Sequence, residues 1–332
     1  MNILLLVSIF FIPQIFSLIK ITPKLRLVIV SIVFALISSL RPEMGMDFLA
    51  YKNISNNDDT YLTLLQYYSE PISAFIVFLG QKTSLAFMLF IFAFIYAIGV
   101  FSPLLFLSKK SFILYYCALF FLPVGFLFSF DNIRQAAAVG LVTLSIMSGK
   151  KSIFFLAISS HLSSLFALII MYFSYFFKNK ILIGMTIGLL MAIAAIYIDL
   201  FFGLIWKYEG SDANSFGGSL ILLLSLIGFI SLILPKLIKK RPTLKMNNNF
   251  YNYSLFSSSI LTGSGLAMIA PNMLVLRFLY FFVPFTLFYT IYNIENSYLR
   301  EPLRFLFLLA IVLIAILYWN VADIHVVKSI FG

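Results

Sequence analysis

Long apolar runs separated by short polar breaks dominate the chain, and the runs are helix-sized. A helix needs about 20 apolar residues to cross about 30 Å of hydrocarbon, fewer where flanking side chains snorkel. Runs of this kind predict helices at 2–19, 26–40, 86–108, 112–130, 135–148, 181–200, 218–235, 251–270, 273–292 and 303–321. The first has no basic residue before it and no small-residue cleavage site after it, so it reads as a retained helix and not as a secretory signal. Between 41 and 85 the pattern loosens into a loop that holds a short apolar piece, Ile72 to Leu79, and an Asn-Asn-Asp-Asp turn at 56–59. A basic connector covers 236–249. No internal repeat and no domain boundary interrupts the pattern, which predicts a single integral membrane domain over 1–332.

The segment 153–177 is ambiguous, because Ser159, Ser160, His161, Ser163 and Ser164 interrupt it. It reads as one long helix or as two short ones meeting near His161. Positive charge decides between them, since Lys and Arg accumulate in cytoplasmic loops. A hairpin at His161 with an external N-terminus puts 16 of the 23 lysines and arginines on one side. It leaves Arg41, Lys52, Lys82, Arg134, Lys207, Arg277 and Lys328 on the other. A single helix gives ten against thirteen, with the excess on the wrong side. The expectation is therefore an all-α, polytopic transmembrane bundle of about twelve membrane segments including the short hairpin, with both termini outside.

Composition agrees. Hydrophobic residues make up 62% of the 332 and charged residues 11%, with a mean hydropathy of +1.05. A soluble domain is about half apolar and about a quarter charged, so this chain lacks the polar surface to cover itself in water. The net charge of +11 fits loop asymmetry and calls for no nucleic acid. One cysteine, Cys117, excludes an internal disulfide, and two histidines argue against a His-rich metal centre. On the predicted topology all acids except Glu295 and Glu301 face outward, which puts the chemistry on the outer face.

Arg41, Arg134 and Arg277 stand at outer helix mouths, against the orienting bias. Ionisable groups at such depth are functional candidates, although an arginine snorkelling to anchor a helix end has the same signature. Their neighbours favour function. Arg41 opens Arg-Pro-Glu-Met-Gly-Met-Asp-Phe-Leu-Ala-Tyr, in which Glu43 adds a carboxylate and Asp47 and Tyr51 lie four apart, on one face if helical. Asp131 lies three residues before Arg134 and can pair with it; Asn132 or Asp131 can cap the helix, and Gln135 follows. Arg277 follows Ala-Pro-Asn and precedes Tyr280. Guanidinium forks bind phosphate bidentately, so three of them at one level would suit a lipid-linked diphosphate. His161 is either a hydrogen-bonded structural histidine or a general base or proton donor. Tyr51, Tyr61, Tyr67, Tyr68, Trp206 and Tyr208 read as an interfacial aromatic belt or as platforms for sugar rings. Phosphate-loop, dinucleotide and His-Glu-x-x-His motifs are absent from the sequence, and Asp58-Asp59 has no flanking metal ligands. No cofactor and no metal are expected, with guanidinium charge in their place.

In this order the motifs resemble a known family. Arg-x-x-x-Gly-x-Asp-x-x-x-Tyr (Arg41, Gly45, Asp47, Tyr51) is followed by Glu-Pro (Glu70, Pro71). Ile-Arg-Gln-x-x-Ala (Ile133 to Ala138) then opens a helix ending in Lys-Lys, and His-x-Ser (His161, Ser163) comes about ten residues later. The arrangement is similar to the EpsG family, which belongs with the Wzy-type polymerases of bacterial surface polysaccharides, over roughly 41–175. The resemblance implies a GT-C-like helical membrane glycosyltransferase of the bacterial inner membrane that works without nucleotide sugars. It would move a growing O-antigen or related glycan from one undecaprenyl diphosphate to the next lipid-linked repeat unit at the periplasmic face. Arg41, Arg134 and Arg277 would hold diphosphates, and Asp47, Glu70 or His161 would be the base. Glu43, Tyr51, Asp131, Gln135, Ser163 and Tyr280 would support them. Membrane lipid is implied as the surroundings, with a chain-length regulator protein and a flippase as candidate partners. The short external stretch at 206–217 departs from the long catalytic loops of O-antigen polymerases. Rival readings are a flippase for the same lipid-linked glycan, an O-antigen ligase or other envelope transferase, and a structural export subunit.

Overall fold

The computed structural model describes residue 15 and residues 19–40, 48–121, 132–202, 213–237, 248–266 and 273–321. Among them the fold is all-α, as the apolar periodicity predicts, with no strand. The chain clusters into two compact units, Met1–Leu168 with Leu306–Gly332, and Ile169–Phe305. Among the described residues no helix is long and apolar enough to cross a membrane.

In the first unit α1 spans Pro23–Ser39. The Thr22 hydroxyl accepts the Leu25 N–H at 3.3 Å, and Pro23 stands where its missing N–H costs nothing. The region 41–85, expected as a loop with one apolar piece, contains three short helices: α2, Phe48–Ser55; α3, Tyr61–Tyr68; and α4, Pro71–Lys82. Thr60 caps α3 by accepting the Thr63 N–H at 3.2 Å. Ser69 ends it in the left-handed region (φ 56°), and Pro71 then starts α4. The 56–59 turn is tied down, with Gln81 Nε2 donating to Asp59 Oδ2 at 3.0 Å and Lys82 pairing with Asp58. Apolar positions on these short helices converge. Phe48, Tyr51, Leu64, Ala74, Ile76 and Val77 pack with Met88, Leu89 and Phe92, and with Ile133 and Ala137.

Helix α5, Leu85–Val100, stops short of the expected 108, and a 3-10 turn follows at Ser102–Leu105. Pro103 is the cause: it has no N–H for residue 99, and its ring collides with that carbonyl. The Ser102 hydroxyl donates to the Gly99 carbonyl instead, at 2.6 Å. Helix α6 spans Lys109–Phe121 and α7 spans Ile133–Ser148. Asn132 takes the N-cap position of α7, but its side chain makes no capping bond, contrary to expectation. At the other end Gly149 adopts φ 68° and its N–H returns to the Ser145 carbonyl at 2.8 Å. Backbones of α5 and α7 touch. A Cβ on Gly99 would lie 1.9 Å from the Gly140 carbonyl oxygen, and one on Gly140 would lie 2.6 Å from that of Ile95. Only glycine permits this approach.

Helix α8, Lys151–Ser160, and α9, Ser163–Phe173, are separated at His161 and Leu162, where the sequence predicts a break. Serines there offer the backbone alternatives to helix bonds. The Ser73 hydroxyl donates to the Ser160 carbonyl at 2.6 Å and joins α4 to the end of α8.

The second unit holds α10, Lys180–Phe202; α11, Ala213–Leu237; α12, Asn248–Gly265; α13, Met273–Leu279; α14, Val283–Glu295; and the start of α15, Arg300–Val321. The predicted helix 273–292 is two helices, because Pro284 cannot continue one. Helices α10 and α12 meet through glycines, a Cβ on Gly188 falling 2.1 Å from the Ile260 carbonyl oxygen. The two acids predicted on the cytoplasmic side, Glu295 and Glu301, both pair with Arg304: its Nε lies 2.6 Å from Glu295 and its NH1 2.8 Å from Glu301.

Candidate functional site

Four segments of the first unit bring polar side chains to one place. The end of α3 and the start of α4 supply Tyr68 and Glu70, α2 supplies Tyr51, the first turn of α7 supplies Arg134, and the α8–α9 break supplies His161, the Leu162 N–H and Ser163. Local chain chemistry places Glu70. The left-handed Ser69 turns the chain, and Pro71 starts a helix immediately after, so the Glu70 carbonyl accepts the first helical N–H, from Ala74 at 2.9 Å.

Glu70 is 7% exposed, and its two carboxylate oxygens face different elements. Oε2 accepts from Arg134 NH1 at 2.8 Å. Oε1 accepts the Leu162 backbone N–H at 3.3 Å and lies 3.8 Å from His161 Nδ1. A carboxylate taken out of water favours its neutral form unless donors compensate. Burial here pushes the Glu70 carboxyl above its ordinary range, while Arg134 and the Leu162 N–H pull it back.

Arg134 is 27% exposed at its side chain and is held in three ways. Beside the Glu70 bond, its Nε donates to the Tyr51 hydroxyl at 3.3 Å. Its guanidinium carbon also lies over the Tyr68 ring, 4.6 Å from the centroid. The remaining N–H donors engage no described residue. Burial, followed by the neighbouring Tyr51, pushes the Tyr68 hydroxyl up against the opposing charge of Arg134, so Tyr68 stays neutral beneath the cation. Tyr67 packs edge-on against Tyr68 and is itself exposed. The result is a partly open guanidinium fixed by a carboxylate, a phenol and an aromatic face, with an imidazole behind the carboxylate. The donors that engage no described residue suit an anion, and the carboxylate and imidazole beside them suit proton handling.

Of the candidates read from the sequence, Arg134, Glu70, His161, Tyr51 and Ser163 are brought together. Gln135 is adjacent in the chain and buried. Arg41, Glu43, Asp47 and Asp131 lie outside the described residues, as do Trp206 and Tyr208. Arg277 lies on α13 of the second unit, with Tyr280 just beyond its end. The partner of Arg134 expected nearby in the chain was Asp131; the described partner is Glu70, 64 residues away. Sequence reading missed the specific roles of Tyr68, as the shelf under Arg134, and of the Leu162 amide, which no side-chain pattern can reveal. It also missed Ser73, whose only signal was its position one helical turn after Glu70. Asp58 and Asp59, the adjacent acidic pair, serve to tie the 56–59 turn to α4.

A family model described as EpsG family matches residues 24–330, nearly the whole chain. No curated protein and no solved structure matches. The chain belongs to the EpsG family, a family of Wzy-like polymerases.

Proposed function

From that membership and the site around Arg134, we propose that the protein polymerises lipid-linked oligosaccharide repeat units of a bacterial surface polysaccharide. The donor glycan leaves one undecaprenyl diphosphate and joins a hydroxyl at the non-reducing end of the next repeat unit, at the outer face of the inner membrane. The new glycosidic C–O bond forms as the bond between the anomeric carbon and the diphosphate oxygen breaks. The hydroxyl proton passes to a carboxylate, for which Glu70 is the candidate within the site. Arg134 stabilises the charge that develops on the departing diphosphate, as preorganised cations do where charge appears.

The observation that carries this reading is the Arg134 guanidinium, fixed on Glu70, Tyr51 and Tyr68 yet partly open, with N–H donors that engage no described residue, beside a buried carboxylate. Membrane embedding is part of the proposal. It is supported by the composition and by outward-facing Leu36, Phe155, Leu182, Leu226, Phe229 and Phe305, which water would not favour. In that setting Arg41 and Arg277 are the further candidates for diphosphate binding, and Asp47 for the base.

The test is Arg134→Ala, with insertion and expression verified. Long-chain polysaccharide disappears from the surface while single repeat units still arrive there. Chains of normal length would remove the polymerase reading, and lipid-linked units held on the cytoplasmic side would favour a flippase.

A further inference from the structure

Which ring nitrogen of His161 carries the proton is set by its neighbours, and it decides what the ring can do. The Ser163 backbone N–H lies 3.3 Å from Nδ1, and the Ser163 hydroxyl lies 2.7 Å from the same nitrogen. A backbone amide only donates, so Nδ1 presents its lone pair there, and the hydroxyl hydrogen turns to it as well. The proton of the neutral imidazole is then on Nε2. Glu70 Oε1, 3.8 Å from Nδ1, is beyond hydrogen-bond length. That oxygen takes the Leu162 N–H, and Arg134 holds the other one, so the carboxylate does not draw a proton onto Nδ1. The arrangement is local to the break. His161 is extended (φ −162°, ψ 124°) at the end of α8, and its ring folds over the start of α9, taking one of that helix's orphan amides.

Resting on the polymerase reading, we infer that His161 donates a hydrogen bond through Nε2–H to a phosphoryl oxygen of the lipid diphosphate, and that Ser163 is the positioning residue holding this tautomer. An imidazole in this state cannot remove the acceptor hydroxyl's proton. Its Nε2 already carries one, and the Nδ1 lone pair is covered by Ser163. Proton abstraction falls to a carboxylate.

The chain has two histidines, His161 and His325, so His325→Gln leaves a single imidazole to observe. With that protein labelled with ¹⁵N-histidine in lipid nanodiscs, nitrogen shifts at neutral pH report a protonated Nε2 and a bare Nδ1. Ser163→Ala lowers the preference for that tautomer by about 2- to 10-fold, the worth of one hydrogen bond, and Ser163→Thr restores it. In polymerisation with defined lipid-diphosphate repeat units, His161→Gln, whose amide N–H reaches the Nε2 position, keeps measurable chain growth. His161→Asn, whose amide falls at Nδ1, and His161→Ala lose it by more than about tenfold. A proton on Nδ1, an imidazolium at neutral pH, or a His161→Gln protein as inactive as His161→Ala would overturn the inference. A protected Nε2–H in a wild-type protein that elongates nothing would instead remove the polymerase reading and leave the tautomer assignment standing.

Discussion

Removing Arg134 should harm the fold chiefly by what it leaves behind. In Arg134→Ala the Glu70 carboxylate, 7% exposed, keeps only the Leu162 N–H as a described donor to its charged form. Breaking a fully buried ion pair from one side costs about 3–5 kcal/mol. The Arg134 side chain is 27% exposed, so solvent softens the loss to about 2–3 kcal/mol. Replacing Glu70 as well, in Arg134→Ala/Glu70→Gln, removes the stranded charge. The double variant is therefore more stable than Arg134→Ala alone, by about 1–2 kcal/mol. Arg134→Lys keeps the charge but loses the planar fork that reaches Glu70 and Tyr51 together, and falls between wild type and alanine. Unfolding of wild type, Arg134→Ala, Glu70→Gln and Arg134→Ala/Glu70→Gln in lipid-containing micelles, followed by helical circular dichroism, gives the cycle. Additive losses, with coupling below about 0.5 kcal/mol, would mean that Arg134 and Glu70 do not act as a pair and that the site described here is not formed.

Glu70 gives a pH signature. Its folded-state pKa is raised above the ordinary 4.5, so its proton stabilises the fold below the ordinary carboxyl range, and that stabilisation fades as pH rises through the raised value. Glu70→Gln mimics the protonated state and should gain stability relative to wild type over that interval; a constant difference across pH would count against the burial effect. Activity needs the ionised carboxylate, so its acid limb should lie above 4.5. At the helix crossing, Gly140→Ala sets a Cβ 2.6 Å from the Ile95 carbonyl oxygen and should cost about 1–3 kcal/mol in the same unfolding assay. For the proposed topology, Asn179→Cys in a Cys117→Ser background should resist external thiol reagents in intact cells; labelling from outside would reverse every loop beyond the His161 break.

Helix positions were readable because apolar runs and their breakers are local. The runs predict α1, α7, α10, α12 and α15 to within a few residues, and the serines around His161 predict the break between α8 and α9. Where a proline stands inside an apolar run, hydropathy alone hides the break, and Pro103 and Pro284 each interrupt a run of helical length. The three short helices of 48–82 were hidden because each is stabilised by its neighbours and not by its own length. At the site, Arg134, Glu70, His161, Tyr51 and Ser163 were readable as chemistry out of place. The pairing of Arg134 with Glu70 was not, since 64 intervening residues leave no trace of proximity. A nearby acid, Asp131, looked the better partner because spacing along one helix is the only distance a sequence displays.

The glycine contact between α5 and α7 has a mechanical side. Gly140 lies six residues from Arg134, so at about 1.5 Å of rise per residue the contact is a pivot about 9 Å from the guanidinium's anchor. A tilt of about 10° about that pivot carries the Arg134 backbone through about 1.5 Å. Displacements of about 1 Å can slow a reaction about 100-fold. Two missing methyl groups thereby govern the aim of a cation that neither of them touches, and the close crossing of the two helices becomes part of the site's precision.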